Sequence, residues 1–241
     1  MTAADSLTLQ SRPPRTTALR EAGREGRRPP GRPAVGVLNA PKITAASFTV
    51  IAQCGYPGLT MAALARNLNV SKSALYNHVA CKQDILRLLE EHLISQVDVS
   101  AFETSQWEEA VHSWALSYRN VFAKHTPLIP VIAVLPVAGA PKTLAMYETV
   151  SAGLLKAGFA EHHIIPVIAA LEAFIFGSAF DVNAPDGIFN PGRLAAAAPS
   201  FTSAVARLND SHCSEQPADT AFGLGLKAFI RGLDRLRTEP V

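Results

Sequence analysis

Residues 59–82 read LTMAALARNLNVSKSALYNHVACK, and this stretch decides the fold. Met61, Leu64, Ala65 and Leu68 recur at spacings of three and four, which gives a short helix one apolar face. Thr60 stands where a hydroxyl can accept from an unpaired first-turn amide. Asn69 falls at the turn, where a backbone with positive φ is wanted and Asn tolerates it better than most residues. Val70 plugs back under that turn. Ser71 caps a second helix, and Leu75 with Val79 holds it on the core. Lys72, Ser73 and Asn77 remain outward, with Tyr76 and His78 partly so. These are hydrogen-bonding side chains suited to base edges and phosphates. Two short helices joined by a tight turn form the geometry that places a helix in the DNA major groove.

The chain resembles the tetracycline-repressor family of bacterial regulators at these residues. The resemblance lies in Thr60, then Ala65, Leu68, Asn69, Val70 and Ser71, then Leu75, Tyr76, His78, Val79 and Lys82, and it covers about 42–98. Asn69 replaces the family's usual glycine. Ala80 and Cys81 stand where polar residues are common, so one phosphate contact is expected to be missing. The resemblance implies an all-α protein with three regions. These are a basic arm (1–40), a three-helix DNA-binding head with its linking helix (41–98) and a helical ligand-binding and dimerisation domain (99–241).

Charge follows the same division. The net charge is only +2, but residues 1–40 carry seven Arg against three acids, a net of +4. Residues 41–98 carry five basic and four acidic groups (+1), and 99–241 carry ten and thirteen (−3). Positive charge on the N-terminal side is the polarity expected of a part that approaches phosphates. The arm is rich in Arg, Pro and Gly and reads as disordered in isolation. Its Gly31-Arg32-Pro33 resembles the core of minor-groove hooks, with Arg28 and Arg32 as candidate contacts. A general electrostatic contribution to DNA affinity fits that composition better than a specific hook.

Hydrophobic residues make up 48% of the 241 and charged residues 17%, the composition of a globular chain with a generous core. Cys54, Cys81 and Cys213 show no paired metal spacing and leave an odd number, which fits a reducing cytoplasm. No charged start precedes an apolar run near Met1, so no secretory signal is expected.

Helices are expected over 41–54, 82–99, 107–124, 143–157, 161–180 and 219–236. Residues 127–136 form a short Pro-broken apolar piece, and 181–191 and 209–219 read as loops. Residues 194–208 read as a helix broken by Pro199. The 161–180 segment is apolar almost all round. Its Glu172 would cost roughly 2.5–3.5 kcal/mol at the centre of a membrane span, so a buried helix is expected. With the Gly-containing last helix it resembles the family's dimerisation pair, and Leu226 and Leu233 are expected at or near that contact.

The resemblance also implies a ligand pocket among His112, Trp114, Tyr118, His125, Met146, Tyr147, Phe174 and Phe176. Aromatics with a few polar groups suit a small, mostly apolar effector. Adjacent His162 and His163 point about 100° apart on a helix and do not chelate as an i, i+4 pair would. No metal site, no cofactor and no nucleophile motif is expected, and no enzyme. The reading is a homodimeric repressor on a palindromic operator of double-stranded DNA, released by a small-molecule effector. The alternative class is a helical small-molecule binding protein without DNA binding, and the modest charge of the head is its support.

Overall fold

The structure is a computed structural model, and it describes residues 38–210 and 216–238. The expectations for the arm, including Arg28 and Arg32, lie outside the described residues. Among those residues the secondary structure is helical, without a strand. In chain order the helices are α1 (Ala40–Gly58), α2 (Met61–Asn67), α3 (Lys72–Tyr76), α4 (Lys82–Ile94), α5 (Ala101–Thr104) and α6 (Trp107–Ala123). They continue with α7 (Ile129–Ile132), α8 (Pro141–Lys156), α9 (Glu161–Asp181), α10 (Pro199–Asp210) and α11 (Pro217–Thr238). Single 3-10 segments occupy Thr126–Leu128 and Gly192–Ala197.

Local chemistry fixes the head. Asn39 accepts from the Lys42 amide (3.1 Å) and starts α1, with Pro41 in its first turn. The helix kinks at Gly55 (φ 68°) and runs one turn beyond the expected end, through Pro57 to Gly58. Thr60 accepts from the Ala63 amide at 3.1 Å and Ser71 from the Ala74 amide at 3.0 Å, so both expected caps form. Between them the α2 terminus closes with two crossed bonds, Val70 N to Ala65 O and Asn69 N to Arg66 O. That pairing needs a left-handed residue just past the helix, and Asn69 supplies it at φ 53°. Ile43, Leu64, Leu75, Ile85 and Leu89 then close the core of the head.

α4 belongs to head and body alike, packing on α1 and also on α6, α7 and α8. It ends at Ile94, short of the expected Val99. Ser95 Oγ and Gln96 Nε2 both donate to the His92 carbonyl and compete with the helical ladder there. In the body α6 packs along α9, with α11 against both. Arg119, 1% exposed, ties the three together. It pairs with Asp219 at 2.6 Å, lies over the Phe222 ring and donates to the Ser178 carbonyl.

Three expectations change. Pro199 opens α10 rather than breaking a helix, because a first-turn residue has no amide to lose. The loop expected over 209–219 shrinks, since α10 runs to Asp210 and α11 begins at Pro217. Leu226 and Leu233 point into their own subunit, at 0% and 7% exposed. The face of α11 left open carries Ala221, Leu224 and Ala228 instead.

The strained turn yields a prediction. Asn69→Gly keeps or slightly raises stability, whereas Asn69→Val costs about 1–2 kcal/mol, because a β-branched side chain resists positive φ. Urea unfolding midpoints measure the difference. Equal tolerance of Gly and Val would contradict the role of this residue.

Candidate DNA-binding surface and buried polar chamber

The two inward side chains near α3, Leu75 and Val79, are buried at 0% and 3% exposed. Ser71, Lys72, Ser73, Tyr76, Asn77 and His78 all face solvent, so one short segment presents every expected contact except Thr60, Lys82 and the arm's Arg28 and Arg32. Tyr76 is the large exposed ring of the set, at 51%. Thr60 is exposed at the start of α2. Its oxygen is occupied as a cap, as is that of Ser71, and each hydroxyl keeps its proton to donate. Lys82 differs from the others. Its ammonium lies 3.9 Å from the Tyr56 ring centre and donates to the Tyr56 carbonyl (3.4 Å), pinning the start of α4 to the end of α1. The Ala80 and Cys81 amides are both taken by Asp84.

The eight residues expected around a ligand separate into two groups. Trp114, Tyr118, Met146, Tyr147 and Phe176 belong to the region between α6, α8 and α9, where the first three are buried and the other two half-buried. Trp114, Tyr118, Phe122 and Phe176 form a chain of ring contacts 5.1–5.8 Å apart. The other three lie elsewhere. Phe174 stacks on Phe222 and touches Phe229, joining α9 to α11. His125 rests on Phe48 of α1, which also meets His92. His112 faces solvent.

Two carboxyls join this buried cluster. The Tyr118 and Tyr147 hydroxyls both donate to one oxygen of Glu172, at 2.9 and 2.8 Å. Glu90 of α4, 4% exposed, accepts from Thr143 Oγ1 at 3.3 Å, and its other oxygen has no partner among the described residues. Trp114 Nε1 is likewise buried without an acceptor among the described residues. Burial raises both carboxyl pKa values above the ordinary glutamate range. The Thr143 bond opposes this at Glu90 and the tyrosine bonds oppose it at Glu172. The Glu172 charge adds to the rise at Glu90. Tyr118 and Tyr147 are pushed upward by burial first and by Glu172 next, so both stay protonated donors. The sequence signal for Glu172 was one acid amid apolar neighbours. Glu90 gave no such signal, because it reads as one of an ordinary surface pair with Glu91.

Glu91 does different work. The Ala140 preceding α8 offers no capping side chain. The Glu91 carboxylate accepts from the Lys142 amide (2.9 Å), the Thr143 amide (3.1 Å) and Thr143 Oγ1 (3.2 Å). A negative group at a helix N-terminus satisfies orphan amides and opposes the helix dipole. A cleft of about 520 Å³ opens beside this joint, lined among others by Thr44, His78, Arg87, His92 and Lys142.

The carboxyls make stability depend on pH. Their folded-state pKa values lie above the unfolded value near 4.5. Their contribution is therefore fully present below that pH and is lost as pH rises through the raised values. The double variant Glu90→Gln, Glu172→Gln should gain on the native protein as pH rises from about 4.5, and should melt higher at pH 8. Thermal melts across that range test this, and a native protein that melts higher than the variant at pH 8 would contradict it.

Comparison with known proteins agrees with this architecture. Residues 101–237 match the model of the tetracyclin repressor-like C-terminal domain, and 43–89 match that of bacterial regulatory proteins of the tetR family. An HTH-type transcriptional regulator of Saccharopolyspora erythraea is 28% identical over 59% of this chain, and the match spans 60% of that regulator's own length. The class E tetracycline repressor protein of Escherichia coli is 25% identical over 85% of this chain and 96% of the repressor. Apo ActR from Streptomyces coelicolor has the same fold, with a TM-score of 0.69 at 23% identity over 83% of this chain and 96% of ActR. ActR has also been solved in complex with actinorhodin. The chain belongs to the tetR family of bacterial regulatory proteins, the ligand-responsive DNA-binding regulators of transcription.

Proposed function

We propose that the chain is a cytoplasmic homodimeric repressor, without enzymatic activity, that holds a palindromic operator until a small molecule enters the body between α6, α8 and α9. The observation that carries this is the α3 surface, where polar side chains project outward while Leu75 and Val79 alone anchor the segment. Ser71, Lys72, Ser73 and Asn77 read base edges. Thr60, Tyr76, His78 and Lys82 bind phosphates and fix register, and Arg28 and Arg32 of the arm add electrostatic attraction.

Dimerisation uses faces that one subunit leaves uncovered. Outward on α9 lie Ile165 (69% exposed), Ala169, Ala173 and Phe180, and outward on α11 lies Leu224 (72% exposed). A Cβ built on Gly177, Gly223 or Gly232 would meet no atom within 4 Å. α9 is long and apolar enough to cross a membrane. In this reading a second copy covers that face, as soluble proteins avoid large exposed apolar patches.

Coupling runs through α4. A ligand that displaces Tyr147 shifts α8, whose first turn is held by Glu91, and α4 carries that shift to the head. The proposal rests on this continuous path of contacts.

Two outcomes test the reading. Lys72→Ala should lose about 1–3 kcal/mol of operator binding if it makes a good base contact. Tyr76→Ala should weaken binding to all DNA without unfolding the head. Gel-shift titrations measure both, and unchanged affinity in the two variants would remove the assignment of α3. Separately, Glu91→Ala should expose the Lys142 and Thr143 amides to faster hydrogen exchange and also lower DNA affinity, although Glu91 does not belong to the α3 surface. Faster exchange with unchanged affinity would mean that the cap does not position the head.

A further inference from the structure

The cleft beside the joint of α4 and α8 holds cations whose usual partners are engaged elsewhere. It measures about 520 Å³ and is lined from α1, the segment after α3, α4 and the start of α8. Two acids border it, and both are occupied by backbone amides. Asp84 Oδ2 accepts from Ala80 and Cys81, and Glu91 accepts from Lys142 and Thr143. Arg87 stands three residues from Asp84 and four from Glu91 on α4, spacings at which an ion pair ordinarily forms. Among the described residues neither acid pairs with it, and its guanidinium makes no hydrogen bond. Its charge is felt by the buried Glu90, which lies beyond ion-pair distance. Arg87 Nε is buried without a partner, whereas Nη1 and Nη2 keep accessible surface. Gly139 leaves the guanidinium its place, because a Cβ there would lie 2.7 Å from Nη1. Lys142, contributed by α8, also has no ion pair among the described residues. Ile43, Val79 and Leu88 give the cleft an apolar lining.

We propose that this cleft is a ligand site in its own right, and that it takes a singly charged organic acid, a carboxylate on a compact apolar body. It stands apart from any effector site between α6, α8 and α9. The outer nitrogens of Arg87 form a planar fork that matches a carboxylate. Lys142 adds a second positive charge from the other helix. The apolar body lies against Ile43, Val79 and Leu88. The volume falls within the usual range of small-molecule sites. Charge selects a monoanion, since Asp84 and Glu91 also border the cleft and repel a phosphate dianion more than a carboxylate.

Calorimetry of the full-length protein with 2-naphthoate, 2-naphthamide and 2-naphthyl phosphate tests this. Naphthoate should bind at least about tenfold more tightly than the neutral amide, the advantage of charge-assisted bonds over neutral ones. Naphthyl phosphate should bind more weakly than naphthoate. Arg87→Gln should abolish the preference for naphthoate over the amide. Lys142→Gln should reduce naphthoate affinity several-fold, whereas Lys156→Gln at the far end of α8 should leave it unchanged. Lys142 is exposed, so its variant locates the site even where Arg87→Gln fails to fold. Equal binding of naphthoate and amide, tighter binding of the phosphate, or no measurable naphthoate binding at millimolar concentration overturns the proposal. So does a naphthoate preference that survives in Arg87→Gln, or an affinity that Lys142→Gln does not change.

Discussion

The first turn of α8 has no capping side chain of its own, and the carboxylate that serves it comes from α4. This exchange between two helices organises much of the molecule. α4 begins at the head, where Lys82 is fastened to Tyr56 and Asp84 closes the turn after α3. It then reaches the body with two acids in succession. Glu91 holds the first turn of α8, and the buried Glu90 accepts from Thr143 of that same turn. In the proposed coupling this helix, fastened at both ends, moves as a rod and passes displacement at the body on to α3, since packed interfaces shift between arrangements and do not deform smoothly.

The buried polar cluster gives the body poor electrostatics. Two half-satisfied acids and an orphaned indole lower stability, and a protein selected for stability alone would replace them. The aromatic residues around them are more ordinary. Trp114 and Tyr118 are simultaneously wall and core, so their burial alone does not separate lining from packing.

The head was legible because each of its signals is local. A hydroxyl before each helix, an Asn at the turn and two apolar anchors leave little freedom, and Thr60, Ser71, Asn69, Leu75 and Val79 take their expected places. The long amphipathic helices of the body were legible for the same reason. What failed depended on tertiary context. Four-residue α5 and α7 are too short to show a period. Phe174 and His125 lie in the right segments but serve other joints, because one residue's step around a helix changes its partner. Leu226 and Leu233 share a stripe on α11, and only the packed neighbours reveal that this stripe is the inner one. Glu90 and Glu91 look alike in sequence and differ entirely in surroundings.

In the proposed mechanism a twofold pair of heads turns a shift in α4 into a change of operator affinity, since two half-sites must be spanned at a fixed spacing. The account therefore depends on a second copy covering Ile165, Phe180 and Leu224. Sedimentation velocity of the full-length protein at micromolar concentration, alone and with DNA, measures this directly. The account predicts a species of twice the 25.7 kDa chain mass that persists on dilution and binds one operator as a pair. A stable monomer, or one chain per operator, would contradict it.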